Sequence, residues 1–391
     1  MNCLADIVVN EYMDGGTIMK ENNLFRYATK ELSQDALFCW LINWINYPES
    51  TQYPVGVATL NLFLGKNKPD TYFNVQVKRQ YKKIDVLILF NDRYALIIED
   101  KTNTSEHGEQ IARYRDLMKD EYPDKQIMTA YIKTGIIYDD DARIIHKADT
   151  VVTLEDLLAT LEPYKESAQS DILRNYVAYI SEISEDRTRI REEIESGQYE
   201  NALKTEYGQF SFLDQVFHAR SKGTEVGKYY IAEGKLDLVY KDYVYAGTNN
   251  GGTPWTQYCF FAQKYPQQLA NKAIHEYQYL FWRIDCNWAR IEKKNPDSAY
   301  VPEYYIALRH YDENTKVNDS TRQRKREAYQ FFREKCTVLE ARHPELFRKV
   351  GVRENYKESD LLFIPIRNIS ELPFWRVKEL LREITEVFTQ K

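Results

Sequence analysis

The stretch IDVLILFNDRYALIIEDK, residues 84–101, restricts the fold more than any other part of the chain. Ile84 to Phe90 is an apolar run broken only by Asp85, the length of a buried strand. Asn91-Asp92-Arg93 follows as a turn, because Asn and Asp side chains bond their own backbone and tolerate tight conformations. Tyr94 to Ile98 is a second apolar strand that runs directly into Glu99-Asp100-Lys101. The two-residue period of a strand puts Glu99 and Lys101 on one face and Asp100 on the other. Carboxylates and an ammonium at the ends of buried strands are costly unless they pair or bind a metal. Few protein carboxylates with several waters is the usual setting for Mg²⁺. These residues therefore read as a β-hairpin with a charged site at its open end.

The flanking segments supply helices and further strands. Residues 23–47 carry Leu32, Ala36, Leu37, Trp40, Leu41, Trp44 and Ile45 at intervals of three and four, an amphipathic helix with Thr29 as its N-cap. Glu31 and Asp35 share one face of it, with Gln34 close by. Residues 48–57 read as a turn, 58–65 as a short helix ending at Gly65, and 66–70 as a loop. Residues 72–81 read as a strand pairing with the hairpin. Lys78, Arg79, Lys82 and Lys83 make its edge basic, suited to phosphate contacts or to protection of an edge strand. Residues 102–110 are a loop holding His107, and 126–135 a strand with Lys133 at its tip. Residues 149–164 read as a strand, then a helix capped by Thr153 with Asp156 three residues on.

The ordered set of Asp85, a hairpin, Glu99-x-Lys101 and a helix carrying Gln110 (EQIARYRDLM) resembles the PD-(D/E)XK nuclease superfamily. The proline usual before the aspartate is Ile84 here, and the resemblance spans about residues 23–163. It implies a restriction-endonuclease-like mixed sheet flanked by helices, and hydrolysis of DNA phosphodiester bonds with Mg²⁺ or Mn²⁺. Asp85 and Glu99 would hold the cation, with Asp100 contributing its carbonyl, and Lys101 would orient the attacking water. Gln110 would support that site. An acid of the first helix would complete it, Glu31 as first choice and Asp35 as second. By analogy with two-part bacterial chains, defence against foreign DNA is the expected role.

Composition narrows the remaining choices. The chain has 391 residues, enough for more than one domain. Its net charge of −6 means that a basic nucleic-acid footprint, if present, is local, and suggests an enzyme gated by a partner or by self-association. Cys3, Cys39, Cys259, Cys286 and Cys336 form no CxxC or Cys/His cluster, which argues for reduced thiols in a cytoplasmic protein. Acidic residues within 1–20 argue against a secretory signal, and no apolar run approaches the roughly 18 residues of a membrane span. No Walker A pattern is present.

The expected organisation is α/β, with a nuclease domain over 1–190 and a C-terminal α+β domain over 191–391 that recognises or senses the target. Residues 165–200 read as a long charged helix and 198–222 as a shorter one. Tyr- and Val-rich strands follow, with NNGG at 249–252 as a hairpin signal. Residues 272–292 read as helix or strand, 321–348 as a helix, 361–368 as a last strand, and the chain ends in a helix begun near Pro373. Two other functions use the same residues. One is an RNA nuclease, since recognition of a 2′-OH leaves no linear signature. The other is a non-catalytic binding protein on a nuclease fold, whose retained Asp85, Glu99, Lys101 and Gln110 would then be unexplained.

Overall fold

The computed structural model describes residues 23–28, 31–102, 110–137, 147–217, 243–249, 252–260, 280–290, 294–295, 297–311, 319–353, 356 and 358–389. His107, Thr29 and Cys3 lie outside these residues.

A five-stranded mixed sheet carries the hairpin. Its strands are β1 (Gln76–Tyr81), β2 (Ile84–Phe90), β3 (Tyr94–Lys101), β4 (Gln126–Lys133) and β5 (Thr150–Thr153), in that spatial order. β1, β2 and β3 are antiparallel; β4 and β5 run parallel to β3. The chain is thus mixed α/β. Helices α1 (Glu31–Asn43) and α2 (Tyr53–Leu64) cover one face, and α3 (Gln110–Glu121) packs on the other. Val86, Ile88, Leu96 and Ile98 face α1 and α2, while Leu87, Leu89, Ala95 and Ile97 face α3. Apolar residues on both faces explain why β2 and β3 read as continuous runs rather than alternating ones. Phe38 of α1 meets Phe63 of α2 edge to face at 5.1 Å, and burying each ring contributes about 2–3 kcal/mol. Gly56 allows this crossing: a Cβ there would stand 2.7 Å from the carbonyl oxygen of Leu41.

Several boundaries differ from the sequence reading. The first helix is shorter than 23–47, with single 3₁₀ turns at Leu24–Arg26 and Trp44–Asn46. Residues 48–57 are not all turn, because α2 begins at Tyr53 with Pro54 in its first turn, where a missing N–H costs nothing. β3 ends at Lys101 as the sequence reading has it, and β4 pairs with it in register out to Lys101 opposite Lys133. Lys133 is the last residue of β4, at the tip as expected, and is buried there. The β1–β2 connection is a tight turn of Lys82 and Lys83, both with positive φ (52° and 71°), a conformation usually left to Asn-Gly.

Helix α4 (Leu154–Leu161) has the expected capping box: Thr153 accepts from the Asp156 N–H and Asp156 accepts from the Thr153 N–H. Helix α5 (Asp171–Glu195) runs from one hydrophobic cluster into the next. Leu173, Tyr176, Val177 and Ile180 belong to the first sheet's cluster, and Ile190 and Ile194 to the second. The expected helix over 198–222 is two pieces, α6 (Tyr199–Ala202) and α7 (Glu206–Phe217).

The second sheet is antiparallel throughout, in the order β10-β9-β8-β7-β6. Its strands are β6 (Tyr243–Thr248), β7 (Pro254–Phe260), β8 (Leu280–Arg290), β9 (Tyr300–Tyr311) and β10 (Glu358–Pro365). Residues 280–290 are therefore strand. Helices α8 (Asp319–Arg342) and α9 (Phe374–Thr389) share a core with α7 and one face of this sheet, and Trp282 donates its indole N–H to Thr385 at 2.8 Å. The other face holds a salt-bridge network: Arg309 binds Asp360, Glu358 and the Tyr305 hydroxyl, and Arg283 binds Asp285 and Glu358. Among the described helices, none is long and apolar enough to cross a membrane.

Candidate active site

The site lies where β2 begins and β3 ends, under the first turn of α1. Lys101 reaches out from β3 with its Nζ 2.6 Å from Glu99 Oε1 and 3.7 Å from Asp85 Oδ2. The ammonium and the Glu99 carboxylate are both buried. Burial alone would lower the lysine pKa; the charges of Glu99, Asp85 and Glu31 and the Glu99 hydrogen bond outweigh it, and the net shift is upward. Lys101 is thus held as an ammonium.

Backbone amides hold two of the acids. Asp85 Oδ2 accepts the N–H of Asp100 at 3.0 Å, and Glu31 Oε1 accepts the N–H of Thr102 at 3.0 Å. Glu31 is the first residue of α1, so the helix start delivers it directly to the end of β3. Such bonds to carboxylates are charge-assisted and fix the oxygens in place.

A second acidic layer lies on the α1 side of β3. Asp100 faces that side, as the strand period requires, and accepts from Gln34 Nε2 at 2.7 Å. Gln34 in turn accepts from the Tyr176 hydroxyl of α5 at 3.0 Å. Gln80 Nε2 bridges Asp35 Oδ2 (2.9 Å) and Asp85 Oδ1 (3.1 Å). Asp35 Oδ1 and Asp100 Oδ2 are both buried, and the two side chains lie against each other. Burial, then the charge of Asp85, pushes Asp35 up to about 6. Burial, then the charge of Asp35, holds Asp100 well above the usual carboxylate range.

Asp85, Glu99, Lys101 and Glu31 come together at one strand end, and Asp35 and Asp100 lie immediately beside them. Gln110 opens α3, with its Nε2 3.4 Å from the Tyr114 hydroxyl one turn further along the helix. The basic edge is partly committed to internal contacts: Lys78 donates to Tyr122, Lys82 to Glu121, and Arg79 to the Leu32 carbonyl. Sequence reasoning missed Gln80 and Tyr176 and left Gln34 without a role. Gln80 had one legible signal, its position near Asp85 in the first hairpin; Tyr176 had none, being 142 residues from Gln34.

The donor chemistry fits a hard divalent cation. The available donor atoms are carboxylate oxygens, the ligands such a cation prefers. Among the described residues, no group of three or more His, Cys, Asp and Glu side chains forms a metal cage. Mg²⁺ does not require one, because it is usually held by one or two carboxylates and water.

No family model matches the chain, and no curated protein or solved structure matches it.

Proposed function

We propose that this chain is a Mg²⁺- or Mn²⁺-dependent nuclease hydrolysing DNA phosphodiester bonds, on a restriction-endonuclease-like core. The reading rests on one observation above the others: a buried ammonium, Lys101, held between the carboxylates of Glu99 and Asp85 at the end of a sheet. Asp85 and Glu99 would hold the cation together with water, and Glu31 would complete the acidic set. When bound, it supplies Lewis-acid polarisation of a phosphoryl oxygen and a water of lowered pKa.

The chain's own residues supply the rest. Lys101, 2.6 Å from Glu99 and 3.7 Å from Asp85, would donate hydrogen bonds to the attacking water and to phosphoryl oxygens as charge develops. The Asp100 and Thr102 amides orient Asp85 and Glu31 before substrate arrives. Gln80 keeps Asp35 and Asp85 from turning apart. The unit built on the second sheet would select or sense the target, in keeping with a role in defence against foreign DNA.

The test is cleavage of plasmid and linear DNA with Mg²⁺ or Mn²⁺, comparing wild type with Asp85→Ala and Lys101→Ala. Metal-dependent cutting should fall by about 100-fold or more in both variants. Cutting that survives in either one removes this site assignment. RNA of the same sequence, run alongside, decides the sugar.

A further inference from the structure

A cavity of about 260 Å³ opens at the end of β4, lined by Gly135, Ile136, Ile183, Ile190, Asp186 and Tyr207, together with Arg187 and Glu206. It lies on the same sheet edge as the candidate site. Lys101 stands opposite Lys133 in the parallel β3–β4 register, and the Thr134 N–H donates to the Lys101 carbonyl at 3.2 Å. With strands about 4.8 Å apart and about 3.3 Å per residue along them, the cavity begins on the order of 10 Å from Lys101. In sheets with parallel strands, ligands collect at this carboxyl edge.

The walls have a specific chemistry. Ile136, Ile183 and Ile190 provide an apolar slot, and Tyr207 an aromatic face. Arg187 fixes that ring: its guanidinium lies 5.2 Å from the ring centroid, donates to the Thr134 carbonyl at 2.7 Å and pairs with Glu155 at 3.2 Å. Arg191 approaches the same ring at 5.9 Å. Asp186, whose carboxylate pairs with Arg189 at 3.2 Å, and Glu206 complete the lining. A slot between aliphatic walls and a fixed aromatic ring suits a flat heteroaromatic ring. The volume is below the ~300–1,000 Å³ of drug-sized sites, so it suits one ring system.

We propose that this cavity receives a single unstacked base of the DNA strand whose phosphate is held near Lys101. The proposal rests on the nuclease reading and adds a substrate class: single-stranded DNA, or duplex from which one base can be turned out. The path from Lys101 through Thr134 and Arg187 to Tyr207 makes base capture and phosphate placement parts of one rigid arrangement.

The experiment uses the full chain and single-stranded DNA oligonucleotides in EDTA, where binding is measured without cutting. A 2-aminopurine base is moved along the strand and its emission recorded with wild type, Tyr207→Phe, Tyr207→Leu and Ile183→Trp, each checked for an unchanged melting temperature. Quenching at one position is expected with wild type and Tyr207→Phe, and its loss with Tyr207→Leu and with Ile183→Trp, which fills the slot. An abasic residue at that position should weaken wild-type binding by about 10-fold, a comparison that needs no variant. Equal binding wherever the abasic residue stands, or quenching unchanged in both Tyr207→Leu and Ile183→Trp, overturns the pocket. Adding Mg²⁺ afterwards separates the two ideas. Cutting without position-dependent quenching keeps the nuclease and discards the pocket; position-dependent quenching without cutting keeps the pocket as a nucleic-acid site and discards the nuclease.

Discussion

Gln80 falls between the Arg79–Val86 and Tyr81–Ile84 pairs of the β1–β2 ladder in a left-handed backbone conformation, φ 53°, and its side-chain amide ties Asp85 to Asp35 of α1. One residue thereby joins the first helix to the hairpin. A non-glycine residue with φ in this region carries strain of about 1–2 kcal/mol. The strain persists because the neighbouring turn and both carboxylates hold the residue there.

Replacing Gln80 separates strain from bonding. Gln80→Ala removes the bridge and keeps the strained backbone; Gln80→Gly removes the bridge and relieves it. Gln80→Gly should be the more stable variant by about 1 kcal/mol in urea denaturation. Equal midpoints would show that the left-handed conformation costs nothing here.

The raised carboxyls set a pH dependence. Asp35 has an ordinary value of 3.8 and is pushed up to about 6, so between those values the folded chain binds more protons than the unfolded one. Its contribution to stability therefore falls as pH rises from about 4 through about 6, and Asp100 shifts in the same direction. Asp35→Asn keeps an oxygen for Gln80 and removes the charge. In metal-free buffer its melting temperature should exceed that of wild type at pH 7, with the gap closing toward pH 4. A gap that does not change with pH would mean that Asp35 is not the group responsible.

Lys101 and Glu99 should prove strongly coupled, because both are buried and 2.6 Å apart. Lys101→Met leaves the Glu99 carboxylate without its nearest cation and should cost about 3–5 kcal/mol. Glu99→Gln in the same chain should recover much of that loss. A double-mutant cycle by chemical denaturation gives the coupling directly, and a value near zero would contradict the geometry.

The second sheet's network makes an independent prediction. Arg309 is buried and bonded to Asp360 at 2.6 Å, Glu358 at 2.9 Å and the Tyr305 hydroxyl at 2.8 Å. Arg309→Leu strands Asp360 and leaves Glu358 to Arg283 alone, and should cost about 3–5 kcal/mol, whereas Arg309→Lys retains the charge and loses only the planar fork. Thermal melts that rank leucine and lysine together would argue against the charge as the stabilising element.

What the sequence by itself determined is local. The apolar runs of β2 and β3, the Asn91–Asp92 turn, the Thr153–Asp156 capping box and the separation of Asp100 from Glu99 and Lys101 all follow from backbone periods and side chains acting within a few residues. Even the composition of the charged site was legible, because acids ending a buried strand need partners. Tertiary structure decided who those partners are. The Gln34–Asp100, Tyr176–Gln34 and Glu31–Thr102 bonds join residues 66, 142 and 71 positions apart. No periodicity reaches that far, since the choice depends on how α1 and α5 pack across the sheet. The same holds for the burial of Lys133: its place at the end of β4 was legible, but its burial opposite Lys101 follows from parallel pairing with β3.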